Sequence, residues 1–150
     1  MENKEKSESE LFFEKKTLEF DNIKNEIENE LQIDEFNIRQ KTLKSPILAS
    51  RYLNHTLKEK NLLDKLNRTK DKLFKKLFIK YRKGNNIANT KGEVESFING
   101  DDDYIKIKAR CQVQESRVNY LKEHVSIFRN LSYIYSTYVE HEKLKQGEGR

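Results

Sequence analysis

The sequence predicts an all-α protein of long helices, folded as a helical hairpin or bundle. Three observations predict it. Apolar residues recur three and four apart over long stretches, only one Pro and five Gly interrupt 150 residues, and charged residues (37%) outnumber hydrophobic ones (35%). Globular chains typically hold about 45–50% apolar and about 25% charged residues. Each helix here therefore has a narrow stripe to bury. Two long helices with narrow stripes share little core, so assembly into a homo-oligomer is expected to cover the remainder. The length suits one domain, placed at residues 17–150 behind an acidic extension at residues 1–16.

Residues 1–10 are Glu, Lys, Ser and Asn after the initial Met, a composition expected to be disordered. Leu11-Phe12-Phe13 either begins the first helix or docks on a partner. Leu18, Ile23, Ile27 and Leu31 then repeat at helical spacing, predicting a helix over about 18–31. Ile33, Phe36 and Ile38 alternate weakly, leaving room for a short strand near residues 32–38.

Ser45-Pro46 reads as a helix start, with Ser as N-cap and Pro in the first turn. No breaker follows before Gly84, so the second helix is predicted over 46–83, roughly 57 Å long at 1.5 Å per residue. Gly84-Asn85-Asn86 ends it. A connector with Gly92 and Gly100 follows, and Asp101-Asp102-Asp103 opens a third helix over about 101–145. There Tyr104, Ile107, Cys111, Gln114, Val118, Leu121, Val125 and Phe128 alternate three and four apart, continuing through Tyr135 and Val139. This is a heptad seam. Its members Ile107, Cys111, Val118, Leu121, Val125 and Phe128 are the expected oligomerisation contacts. The tail from Gln146 to Arg150 is expected to fray.

Charge is unevenly distributed. Residues 1–35 contain twelve Asp/Glu and five Lys/Arg, a net of −7, whereas residues 58–83 contain eleven Lys/Arg and three Asp/Glu, a net of +8. At 100° per residue, Lys65, Arg68, Lys72, Lys75, Lys76, Arg82 and Lys83 share one side of the second helix. Leu66, Leu73, Phe74, Leu77, Phe78 and Tyr81 lie opposite. A solvated helix face usually mixes signs to gain i,i+4 pairs, whereas this one repels itself unless an anion neutralises it. A polyanion is the favoured partner over plain solvent or an acidic membrane surface, since the apolar groups are committed to packing. Phe74 and Phe78 are expected to pack against another helix. Tyr81, beside Lys80 and Arg82 near the helix end, is the aromatic expected to reach a ligand.

The remaining polar residues read as structural. The three Asp at 101–103 suit a helix N-terminus. His55, His124 and His141 lack zinc-ligand spacing, and Cys111 reads as a small buried hydrophobe. No phosphate-binding glycine loop or nucleophile elbow is present, so neither a catalytic residue, a metal site nor a cofactor is expected. One Cys excludes an internal disulfide, the N-terminus is unlike a signal peptide, and no apolar run nears the roughly 20 residues of a membrane span. A cytoplasmic protein without a membrane partner is expected.

These residues resemble the UvsY family, the recombination mediator proteins of T-even-like phages. Leu18-Glu19 through Ile27, with Leu31-Gln32-Ile33-Asp34, looks like its acidic opening helix and turn. Pro46-Ile47-Leu48-Ala49-Ser50-Arg51-Tyr52-Leu53 is similar to its second helix start. Lys72-Leu73-Phe74-Lys75-Lys76-Leu77-Phe78, then Tyr81 and Gly84, resembles its basic-aromatic segment. Val118-Asn119-Tyr120-Leu121-Lys122-Glu123 looks like its long C-terminal helix. Lys80-Tyr81 stands where members often have two adjacent aromatics.

The resemblance implies a ring-like homo-oligomer that binds single-stranded DNA, helps displace the phage single-strand-binding protein and loads a RecA-like phage recombinase in the host cytoplasm. The nucleic-acid-binding set would be Lys65, Arg68, Lys72, Lys75, Lys76, Lys80, Tyr81, Arg82 and Lys83. The alternative is a coiled-coil scaffold whose basic face grips an acidic protein.

Overall fold

The computed structural model describes residues 7–84 and 90–147, of which 92% are helical. Four helices follow one another: α1 (Glu8–Glu30), α2 (Ile38–Gly84), α3 (Lys91–Asn99) and α4 (Asp102–Gly147).

Helix α1 begins well before residue 18. The Ser7 side chain accepts from the Glu10 amide at 3.3 Å, and the Glu10 carboxylate accepts from the Ser7 amide at 3.0 Å. This reciprocal box satisfies two orphan donors of the first turn. Residues 8–16 are consequently helical, not part of a disordered extension; residues 1–6 lie outside the described residues.

No strand forms at 32–38. The Asp34 carboxylate accepts from the amides of Phe36 and Asn37 at 2.9 and 2.8 Å, and the Asn37 side chain accepts from the Asp34 amide at 2.9 Å. Short polar side chains offer the backbone a local turn that outcompetes a weak alternation. Phe36, read as part of that alternation, is almost fully exposed.

Helix α2 continues unbroken past Ser45-Pro46. Proline lacks the N–H that the Thr42 carbonyl would otherwise accept. The buried Ser45 hydroxyl donates to that carbonyl at 2.7 Å and replaces the missing bond. The serine is thus a repair inside the helix, not its cap. Of the predicted stop, Gly84 belongs to the helix, and Asn85 and Asn86 lie outside the described residues; so do residues 148–150 of the tail.

The chain divides into two compact units. The first holds Met1–Ala49 and Ser126–Arg150. Within it Lys41 ties α2 back to α1, donating to the Asn29 carbonyl at 3.2 Å and pairing with Glu30 at 3.0 Å. Its buried side chains are Ile27, Ser45, Leu48, Ala49, Phe128 and Leu131.

The second unit is Ser50–Val125. Here α2 and α4 run antiparallel: Gln114 donates to the Glu59 carbonyl at 2.9 Å and to its carboxylate, and the rings of Phe74 and Tyr104 lie 5.9 Å apart. Ile107, Cys111, Val118, Leu121 and Val125 are at most 8% exposed in the single chain. Phe128, in the first unit, is equally buried. The seam read as a contact between copies is therefore covered within one chain. Within the second unit α2 has a buried stripe of its own at Tyr52, Thr56, Leu66 and Leu77, so there the seam has a partner in cis.

Candidate nucleic-acid interface

The residues read from sequence as the binding face all belong to the second unit. Lys65, Arg68, Lys72, Lys75, Lys76, Lys80, Arg82 and Lys83 are exposed along α2, while Leu66 and Leu77 on the opposite side are buried. Ion pairs occur elsewhere, at Lys16–Glu19, Lys24–Glu28, Lys41–Glu30, Lys91–Glu95 and Lys145–Glu142. Among the described residues none is found for these eight cations.

The connector expected after Gly84 contains a helix that sequence reading missed. The Thr90 hydroxyl accepts from the Glu93 amide at 3.3 Å and the Glu93 carboxylate accepts from the Thr90 amide at 2.7 Å, starting α3. Thr90-Lys91-Gly92-Glu93 is a legible signature of such a start, masked by the glycine at its third position. Val94 and Ile98 of α3 are buried against Leu77, with Leu73, Phe74, Phe78, Tyr81 and Tyr104 packed around them. This cluster anchors the aromatic stripe and fixes the cations on the other side of α2. Lys91, at the start of α3 and paired with Glu95 at 3.8 Å, lies outside the predicted set.

Tyr81 is more committed than its neighbours in sequence suggest. Its ring stacks on Phe97 at 5.9 Å, its hydroxyl donates to Asp101 at 3.0 Å, and the Lys80 ammonium lies 5.1 Å from its centroid. The bond to Asp101, with burial second, raises the Tyr81 phenol above its ordinary 10.0. For Asp101, burial opposes ionisation. Hydrogen bonds from the Tyr81 hydroxyl and the Tyr104 and Asp103 amides, with Lys80 nearby, nevertheless hold it below its ordinary 3.8. Asp101 accepts those two amides at 3.3 and 3.1 Å, capping α4 as the run of three Asp suggested.

Among the described residues no three His, Cys, Asp or Glu side chains gather to hold a metal ion. His124 instead meets its own helix at the Tyr120 carbonyl, 2.8 Å away. No described helix is long and apolar enough to cross a membrane.

An all-helical chain with a dense cationic row is a common enough design that geometry alone leaves several families open. A family model decides among them: the one described as "Recombination, repair and ssDNA binding protein UvsY" matches residues 26–148. The chain belongs to the UvsY family. The match contains all of α2, α3 and α4, hence the whole cationic row and the aromatic cluster behind it. It places the chain in a family of recombination and repair proteins that bind single-stranded DNA. No curated protein and no solved structure matches this UvsY chain.

Proposed function

We propose that this UvsY-family chain is a recombination mediator that grips single-stranded DNA along the exposed face of α2. The observation that carries the reading is the row of eight exposed cations from Lys65 to Lys83, for which no ion pair is found among the described residues. A single strand's phosphates would neutralise that row and release counterions. Tyr81 would act beside it as a fixed support for Lys80, its ring being stacked on Phe97.

Assembly into a homo-oligomer, ring-like by analogy with the family, repeats the row and raises the effective concentration of each contact along one strand. With the α4 seam already covered, copies would meet through apolar side chains left in solvent, such as Leu53 and Leu57 on α2. A strand held this way would be withdrawn from the phage single-strand-binding protein and offered to a RecA-like phage recombinase. No bond is made or broken in this role, and it needs no cofactor.

The test is affinity for an oligonucleotide and for the matching duplex at several salt concentrations. Tighter binding of the single strand, with log affinity falling linearly in log salt, is expected. Equal affinity for both forms, or a salt-independent one, would refute the reading.

A further inference from the structure

We infer that the depression formed by Phe74, Phe78 and Ile79, rimmed by Lys75 and Lys91, is a seat for one nucleobase of the bound strand. This rests on the single-strand reading above. The depression is open, about 420 Å³ in volume, and those five residues line it. Its floor is aromatic: the Phe74 and Phe78 rings lie 6.2 Å apart with only 28° between their planes. Both are half-buried, so the core fixes them without hiding them, and Ile79 is 54% exposed.

The rim gives the occupant its identity. Lys75 continues the cationic row, and Lys91 faces the same hollow from the first turn of α3. Arg82 lies 5.9 Å from the Phe78 centroid and lines the adjoining hollow with Lys91 and Val94. A nucleotide has both complements, a flat apolar face for the rings and a phosphate on either side for the cations. Fixed aromatic platforms within a cationic groove are how single strands are held without sequence preference. An uncharged apolar peptide would satisfy the floor and leave Lys75 and Arg82 unused, Lys91 being paired with Glu95 at 3.8 Å.

The test compares an ordinary oligonucleotide with one of equal length whose sugars lack bases, using the full chain and the Phe78→Leu variant. Leucine keeps an apolar group toward Val94 and removes the flat face. Wild type should prefer the ordinary strand. Phe78→Leu should lose roughly 5- to 150-fold in affinity for it, with the salt slope unchanged and the preference gone. A variant that keeps wild-type affinity and preference overturns the seat, while single-strand binding stands. Equal wild-type affinity for the two strands overturns it too, even if the variant fails to fold, and leaves the depression to an apolar side chain of a protein. A wild type that binds neither strand removes the seat and the functional reading together.

Discussion

The Tyr81 hydroxyl donates to the Asp101 carboxylate at 3.0 Å, linking the last turn of α2 to the cap of α4 across twenty residues of chain. Asp101 has two further bonds to amides of its own helix, so one carboxylate both starts α4 and holds the neighbouring helix. The pair sits beside the cationic row. Its strength sets how firmly that end of the row is held.

This link should give stability a defined pH window. Asp101 titrates below 3.8 in the folded chain, so its contribution is present above that value and lost as pH falls through the lowered one. Tyr81 titrates above 10.0, so its contribution is present below that value and lost as pH rises through the raised one. Thermal unfolding of wild type and Tyr81→Phe should differ most between these limits and converge outside them. A difference independent of pH would show that the hydroxyl matters only for packing.

Lys72→Ala combined with Lys76→Ala should weaken single-strand binding and lower the log–log salt slope by about 1.4, from about 0.7 per phosphate contact. Both side chains are exposed, so helical content and thermal stability should hold. An unchanged slope would move the strand to another surface, with Lys106, Lys108 and Arg110 of α4 examined next.

Ser45→Ala should destabilise the chain by about 1–3 kcal/mol, because the partly buried Thr42 carbonyl loses the donor that stands in for proline's missing N–H. Pro46→Ala restores that N–H. In a double-mutant cycle measured by urea unfolding, the serine change should cost far less in the Pro46→Ala background. Strict additivity would disprove the substitution of one donor for the other.

Because the α4 seam is covered within the chain, Leu121→Ala should cost about 2–5 kcal/mol of folding stability. Val118→Asp with Leu121→Asp should abolish the helical circular-dichroism signal, not merely dissociate copies. Folded monomers of the double variant in sedimentation would return the seam to an intermolecular role.

Cys111 should react slowly with thiol reagents in the native protein and rapidly in urea. It is buried, and burial pushes its thiol above the ordinary 9.0, so less thiolate is present at neutral pH. Fast native labelling would mean the α4 register is misplaced.

The sequence revealed faces better than ends. The stripe from Ile107 to Phe128 and the cationic row from Lys65 to Lys83 are periodic over many turns, and periodicity survives any local error. What covers a stripe is not periodic information: the seam reads the same whether its partner is α2 or another copy. The ends failed because local signals have two meanings. Ser-Pro starts a helix or repairs one, depending on whether the serine hydroxyl caps an amide or fills a carbonyl. Thr90 and Glu93 were hidden by Gly92, although a glycine in a nine-residue helix costs only about 1 kcal/mol. Within the candidate site the cations were legible, but Lys91 and the hollow beside Phe78 depend on α3, which composition gave little reason to expect.

The position of α3 also has a kinetic meaning. Contacts between α2 and α4 span twenty residues at Tyr81–Asp101, thirty at Phe74–Tyr104 and fifty-five at Glu59–Gln114. Sequence separation grows steadily away from the small helix, and each added pair enlarges an already closed loop, whose extra entropy cost is slight. The second unit can therefore form like a zipper, starting where Leu77 meets Val94 and Ile98 and closing toward Tyr52. Substitutions at Val94 and Ile98 should chiefly slow folding, and those at the Tyr52 end chiefly speed unfolding, a gradient that stopped-flow φ-values would reveal or reject. The face proposed to bind DNA would be among the first parts of the chain to take shape.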